Sequence, residues 1–191
     1  MMLMRTDPFR DIDRLAETQA LLRETNMGAT AIGTGITAPP GYAERVRVHL
    51  VEVTGLAGFE GAMPRELSGG MQQRASIVRA LAQDPAVLLM DEPFGALDAF
   101  TRDEMNLLLL KLWSETGKTV VFVTHNIGEA IFLADRVVVM TSRPGRLARI
   151  YDIDLPRPRT IEMTFEPAFI GLIQEIKRTV EAGGPRTLEV E

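Results

Sequence analysis

The chain has 191 residues, 46% of them apolar and 25% charged, a composition ordinary for one globular domain with room for an appendage. It has no cysteine, which removes disulfides, thiolate nucleophiles and cysteine-based metal sites. A formal charge of -5 argues against a nucleic-acid partner, and no apolar run reaches the roughly 18 residues a membrane span requires. Residues 1–10 lack the apolar stretch of a signal peptide, so a cytosolic protein is expected.

Residues 7–25 place Ile12, Leu15, Ala16 and Leu22 at helical spacing among charged residues, which predicts an amphipathic helix starting near Asp7-Pro8. Residues 26–41, rich in Gly, Thr and Pro, read as a loop, because glycine permits positive φ and Pro39-Pro40 blocks a helix. Gly28 and Gly33 have the spacing of the phosphate-cradling pattern G-x-x-x-x-G-K-[ST]. Thr34 and Gly35 follow, however, so the lysine and the magnesium-binding hydroxyl of that pattern are missing. A second helix is predicted over 42–53, with Val46, Leu50 and Val53 on one face.

Within residues 22–55, the run N-M-G-A-T-A-I-G-T-G followed by P-P-G-Y resembles the aspartate ammonia-lyase and fumarase superfamily. The serine-bearing G-S-S-x-M-P-x-K-x-N stretch of that family is not in the chain, and no catalytic residue is carried over from it.

From residue 55 the pattern changes. Ser68 stands as N-cap of a helix whose buried face is Ile77, Val78 and Leu81, and Gly69-Gly70 let a ligand approach the backbone. Free N–H groups and the helix dipole favour an anion there. Asp84-Pro85 ends the helix, and residues 86–90 (A-V-L-L-M) form an apolar run suited to a buried parallel strand. Asp91 and Glu92 follow at its carboxyl end, where open α/β sheets bind ligands. A carboxylate there can hold magnesium, and its neighbour can orient a water.

Asp98 is predicted to cap a helix over 99–115 whose broad apolar face is Leu107, Leu108, Leu110 and Leu112. Residues 119–123 form a second buried strand, ending in Thr124-His125 at the same sheet edge as the acidic pair. A histidine so placed is a candidate functional group. A short helix over 126–134, strands over 136–140 and 147–153, and a helix over 168–180 complete the pattern. Alternating strands and helices imply an α/β fold with right-handed parallel crossovers.

Residues 55–180 resemble the ATP-binding subunit of an ABC transporter. Four motifs occur in that family's order and spacing: the signature L-S-G-G-M-Q-Q-R, the Walker B segment V-L-L-M-D-E-P, the D-loop G-A-L-D and the switch region V-T-H. The runs H-N-I-G-E-A-I-F-L-A-D-R and S-R-P-G-R-L-A-R-I-Y-D-I-D-L-P-R-P-R look most like importers of nitrate, taurine or other sulfonates.

By that resemblance Asp91 would hold Mg²⁺, Glu92 would act on the attacking water and His125 would contact the γ-phosphate of ATP. Ser68, Gly69 and Gly70, with Gln72, would bind ATP held mainly by a second ATPase subunit, and Asp98 would lie at the dimer interface. The implied partners are that second subunit (another copy or an intact paralogue), transmembrane permease subunits and, indirectly, a periplasmic or extracellular substrate-binding protein. The implied location is the inner face of the plasma membrane.

No Walker A loop and no Q-loop glutamine are identifiable; Gln19 has the wrong context. The expectation is therefore a partial P-loop-NTPase-like parallel sheet with flanking helices, preceded by a mostly helical segment. Its expected divisions are a lyase-like segment over 1–41, a join over 42–59, the ABC portion over 60–182 and a tail over 183–191. Such a hybrid is expected to be truncated and impaired in ATP hydrolysis. It would serve otherwise as a partner module offering its signature motif in trans, or as an ammonia-lyase fragment.

Overall fold

The computed structural model describes residues 2–4, 29–32, 49–82 and 85–183. The helix expected over 7–25, and all of the expected helix over 42–53 before residue 49, fall outside them; residues 49–53 are helical. The strands are β1 (Met2–Met4), β2 (Ala29–Ile32), β3 (Val87–Asp91), β4 (Thr119–Val123), β5 (Arg136–Met140) and β6 (Leu147–Asp152). The helices are α1 (Gly69–Leu81), α2 (Ala99–Thr116), α3 (Ile127–Leu133) and α4 (Pro167–Gly183).

All six strands join one sheet in the order β2-β3-β4-β1-β5-β6. In β3, β4 and β5 the three central residues are buried, as a strand covered on both faces requires. β3 and β4 pair in parallel, joined through α2. β1 is antiparallel to both β4 and β5, so those two run in the same direction without touching.

The expected partial parallel sheet is present, set within a mixed one. Three co-directional strands carry the crossover helices, and β1, β2 and β6 are antiparallel to their neighbours. The loop expected over 26–41 is corrected, because Ala29–Ile32 pairs with β3 over four residues. Thr30 and Ile32 are β-branched, and the free backbone edge of β3 gives the segment hydrogen-bonding partners that no local pattern announces.

One face of the sheet carries most of the core. Ile77, Val78 and Leu81 of α1, Ile131 and Leu133 of α3, and Phe169 and Ile176 of α4 pack in one cluster with Leu88, Met90, Val120 and Phe122. The α2 expectation is revised: its buried face is Met105, Leu109 and Leu112, whereas Leu107 is 40% exposed. Residues 105, 109 and 112 follow i, i+4, i+7, and a run of four leucines wraps too far round a helix for all to face inward.

The helix starts match their capping chemistry. Ser68 Oγ accepts from Met71 N, Asp98 from Thr101 N and Asn126 from Glu129 N. Gly117, with φ 61, ends α2 in the left-handed conformation. Beyond β6 the chain returns to α3, where buried Arg159 places Nη1 2.9 Å from the Ile131 carbonyl oxygen, 3.1 Å from that of Phe132 and 2.6 Å from that of Ala134. Desolvation lowers this guanidinium to about 10. A cation satisfying the last carbonyls of α3 ties the C-terminal segment to the helix that follows His125.

Candidate functional site

Two groups of residues stand out, on different elements. The first lies at the carboxyl edge of the parallel pair. Asp91 is the last residue of β3, opposite Val123 of β4, and its side chain is exposed. Glu92 donates its backbone N–H to the Val123 carbonyl at 2.8 Å, and its φ of 46 is the left-handed region. For a residue with a side chain that conformation costs about 1 kcal/mol or more. It turns the chain sharply off the strand, and Gly95 closes the turn with its N–H 3.2 Å from the Glu92 carbonyl oxygen.

The result is a direct contact. His125 Nδ1 lies 2.9 Å from Glu92 Oε1 and 2.9 Å from Oε2. The parallel register of β3 and β4 produces this, since both side chains leave the sheet two or fewer residues past paired positions. With Nδ1 held by the carboxylate, Nε2 is left for an outside group, and the imidazole is 80% exposed.

The second group is the start of α1 together with the start of α2. Gly69 has open space where a Cβ would stand, so the first turn of α1 is approachable. Gly70 has none: a Cβ there would meet Thr101 Cγ2 at 2.9 Å. Thr101 in turn donates its hydroxyl to Asp98 Oδ2 at 2.7 Å and its backbone N–H to Oδ1 at 3.0 Å. Those bonds hold the Asp98 carboxyl below its usual range, the hydroxyl contributing most. Gln72 donates its amide to the carbonyls of Pro64 at 2.9 Å and Leu67 at 3.0 Å, bracing the loop ahead of Ser68.

The structure therefore joins Glu92 with His125, and Gly70 with Asp98 through Thr101. No hydrogen bond or ion pair among the described residues links the two groups. Nor does any cluster of three His, Asp or Glu among the described residues form a self-sufficient metal cage. One exposed carboxylate at Asp91 still fits magnesium, which is held by one or two carboxylates together with phosphate oxygens and water.

Glu129 is the residue that sequence reasoning passed over. It is buried behind His125, with its backbone N–H on Asn126 Oδ1 at 3.0 Å and its carboxylate bonded to Thr124. Burial pushes its carboxyl up; the Thr124 hydroxyl, Arg102 and His125 pull it down, and Glu92 pushes it up. The signal was a lone acid inside the apolar run I-G-E-A-I-F-L.

Parts of the chain are similar to known proteins. Residues 10–95 match the family model described as ABC transporter. An ATP-binding protein SsuB for aliphatic sulfonate import, from Bacillus cereus, is 47% identical over 134 residues, 70% of this chain and 52% of that protein. An uncharacterised ABC transporter ATP-binding protein of Methanocaldococcus jannaschii is 56% identical over 118 residues, 61% of this chain and 44% of that one. A Brucella abortus protein named only as ATP-binding is 48% identical over 139 residues, 73% of this chain and 54% of that one. The chain thus spans about half the length of the curated relatives it matches. The matched residues 10–95 take in most of the segment that resembles ammonia-lyases.

Proposed function

We propose that the chain is part of the ATP-binding subunit of an ABC importer for a small anion, of which an aliphatic sulfonate is the best supported. The observation that carries the reading is the Glu92–His125 contact at the carboxyl edge of β3 and β4, with Asp91 beside it. The sulfonate rests on the printed function of the Bacillus cereus relatives; nitrate and taurine rest on the resemblance of the C-terminal runs.

The residues fit the phosphate end of ATP. The capped start of α1, with open space at Gly69, suits an anion, and Asp91 would supply one magnesium ligand. Bound magnesium nucleotide would bring the scissile phosphate and its charge compensation. Glu92 would then orient water, while His125 Nε2, freed by the Nδ1 contact, would donate toward a phosphate oxygen. Gln72 would act by holding the loop before Ser68 in place. Asp98 and the Ser68–Gly70 turn would face a second ATPase subunit, and transmembrane permeases would hold the assembly at the inner face of the membrane.

Phosphoryl transfer depends on positioning and electrostatics, and the sequence holds no lysine-bearing G-x-x-x-x-G-K-[ST] loop. The chain alone is therefore expected to turn over no ATP above background, and Glu92→Gln to leave that background unchanged. Robust turnover abolished by Glu92→Gln would overturn the impaired reading.

The same feature favours a second role, that of a module whose Ser68–Gly70 turn completes the site of an intact subunit. Crosslinking with a full-length sulfonate-importer ATPase subunit should then give a heterodimer that requires ATP and is lost with Ser68→Arg. A heterodimer indifferent to ATP would count against it. The ammonia-lyase-like segment is assigned no activity, and incubation with aspartate should form no fumarate.

A further inference from the structure

The imidazole of His125 is 80% exposed and has one hydrogen-bond partner among the described residues, Glu92. A ring so exposed takes its aim from its backbone, and the residues on either side of it are tied together. Asn126, the N-cap of α3, accepts the Glu129 backbone N–H on Oδ1 at 3.0 Å. Asn126 in turn donates its own backbone N–H to Thr124 Oγ1 at 3.0 Å. Thr124 closes the circuit by giving its hydroxyl to the Glu129 carboxylate.

The circuit is a capping box lengthened by one link. In the ordinary motif the acid at the third helical position accepts the N–H of the N-cap directly. Glu129 holds that position, but Thr124 stands between the two: it takes the Asn126 N–H and donates its own hydroxyl to the acid. The bonds therefore enclose His125, the residue between Thr124 and Asn126. Little within them can shift. A Cβ on Gly128 would lie 3.3 Å from Asn126 Oδ1, and Glu129 is 6% exposed. Burial pushes the Glu129 carboxyl up, while the Thr124 hydroxyl pulls it down, as does Arg102 on the wall of a cavity of about 260 Å³ that Glu129 also lines. A buried acid without its donor is destabilising, so Glu129 fixes the Thr124 rotamer.

We propose that Thr124 and Glu129 are positioning residues for His125, holding its backbone so that Nδ1 stays on Glu92 and Nε2 stays free. Their use in phosphate chemistry rests on the function proposed above. The positioning itself is a property of the chain without nucleotide.

The test reads the tautomer of His125 by NMR on the full chain, isotope-labelled in its histidine nitrogens, at about pH 9, where imidazole is neutral. Wild-type His125 should be mainly the Nδ1–H form, which donates to a carboxylate. His49, the other histidine of the chain, meets Glu115 through Nε2 at 3.2 Å and is an internal reference of opposite tautomer. Thr124→Val, which keeps the side-chain shape without the hydroxyl, should lose the Nδ1–H excess at His125 and leave His49 unchanged. Thr124→Ser, which restores the hydroxyl, should recover it. A Thr124→Val chain that is folded by urea titration and keeps the wild-type tautomer overturns the proposal alone, as does a Thr124→Ser chain that behaves like Thr124→Val. A wild-type His125 with no Nδ1–H excess overturns it together with the Glu92–His125 contact that carries the functional reading. Should Thr124→Val not fold, the wild-type Thr124 hydroxyl proton decides: slow exchange with water supports the circuit, and fast exchange overturns it.

Discussion

Gly70 shows how closely the first turn of a helix can be fitted to its neighbour. Alanine there would gain helix propensity of about 1 kcal/mol, but its Cβ would stand 2.9 Å from Thr101 Cγ2. Thr101 cannot rotate away without breaking its hydroxyl bond to Asp98. Gly70→Ala is therefore expected to destabilise the chain by about 1 kcal/mol, and to stabilise it once Thr101→Ser removes the methyl. A double-mutant cycle by urea unfolding reads that reversal of sign. Glu129 gives a pH effect at the same scale. Its folded carboxyl lies above 4.5, the ordinary value, through burial, against the pull of the Thr124 hydroxyl, Arg102 and His125 and with the push of Glu92; exposed Asp103 lines the same cavity. Above pH 4.5 the unfolded chain has released this proton while the folded chain still holds it. The stability it contributes is thus present below 4.5 and lost as pH rises through the raised folded value. Urea midpoints from pH 4 to 7 should fall in wild type relative to Glu129→Gln. The caps Ser68 and Asp98, and the strand-end positions of Asp91, Glu92 and His125, were legible because caps and strand ends are local features. Glu129 was not, because its importance lies in what closes over it.

At the scale of elements, the boundaries of α1, α2, β3, β4 and β5 followed from capping residues and continuous apolar runs, all within a few positions. Which face of a helix goes inward was harder to read. In α2 the leucines at 107–110 offer several stripes, and tertiary packing selects Met105, Leu109 and Leu112. Leu109→Ala should cost about 2–5 kcal/mol, whereas Leu107→Ala should stay within about 0.5 kcal/mol. Chemical denaturation of the two variants checks this directly, and equal losses would mean that Leu107 is packed. Gln72 carries a related lesson. A residue that resemblance places among the ATP contacts gives its amide to the carbonyls of Pro64 and Leu67 and so braces the loop.

For the whole molecule, the crossover pattern gave the direction of β3, β4 and β5 but not their neighbours. Strand order is set by pairings between residues far apart in the chain, such as Met2 with Phe122 and Val137. No periodicity within ten residues encodes such a pairing, which is why β1 and β2 went unread while the ends of β3 and β4 were read. The Glu92–His125 contact survives this because it depends only on the parallel register of β3 and β4, one helix apart in sequence.

The three residues of β1 are also a keystone. Among the described residues they alone bridge β4 to β5 in the strand order, so without them the sheet would part into a β2-β3-β4 half and a β5-β6 half. Each half would then present a fresh valine-rich edge, Val120 to Val123 on one side and Val137 to Val139 on the other. Open edges of that composition recruit one another between molecules. Proline at Leu3, which cannot donate to a ladder, should accordingly turn a monodisperse preparation into one whose light scattering grows with concentration, well before its helices melt.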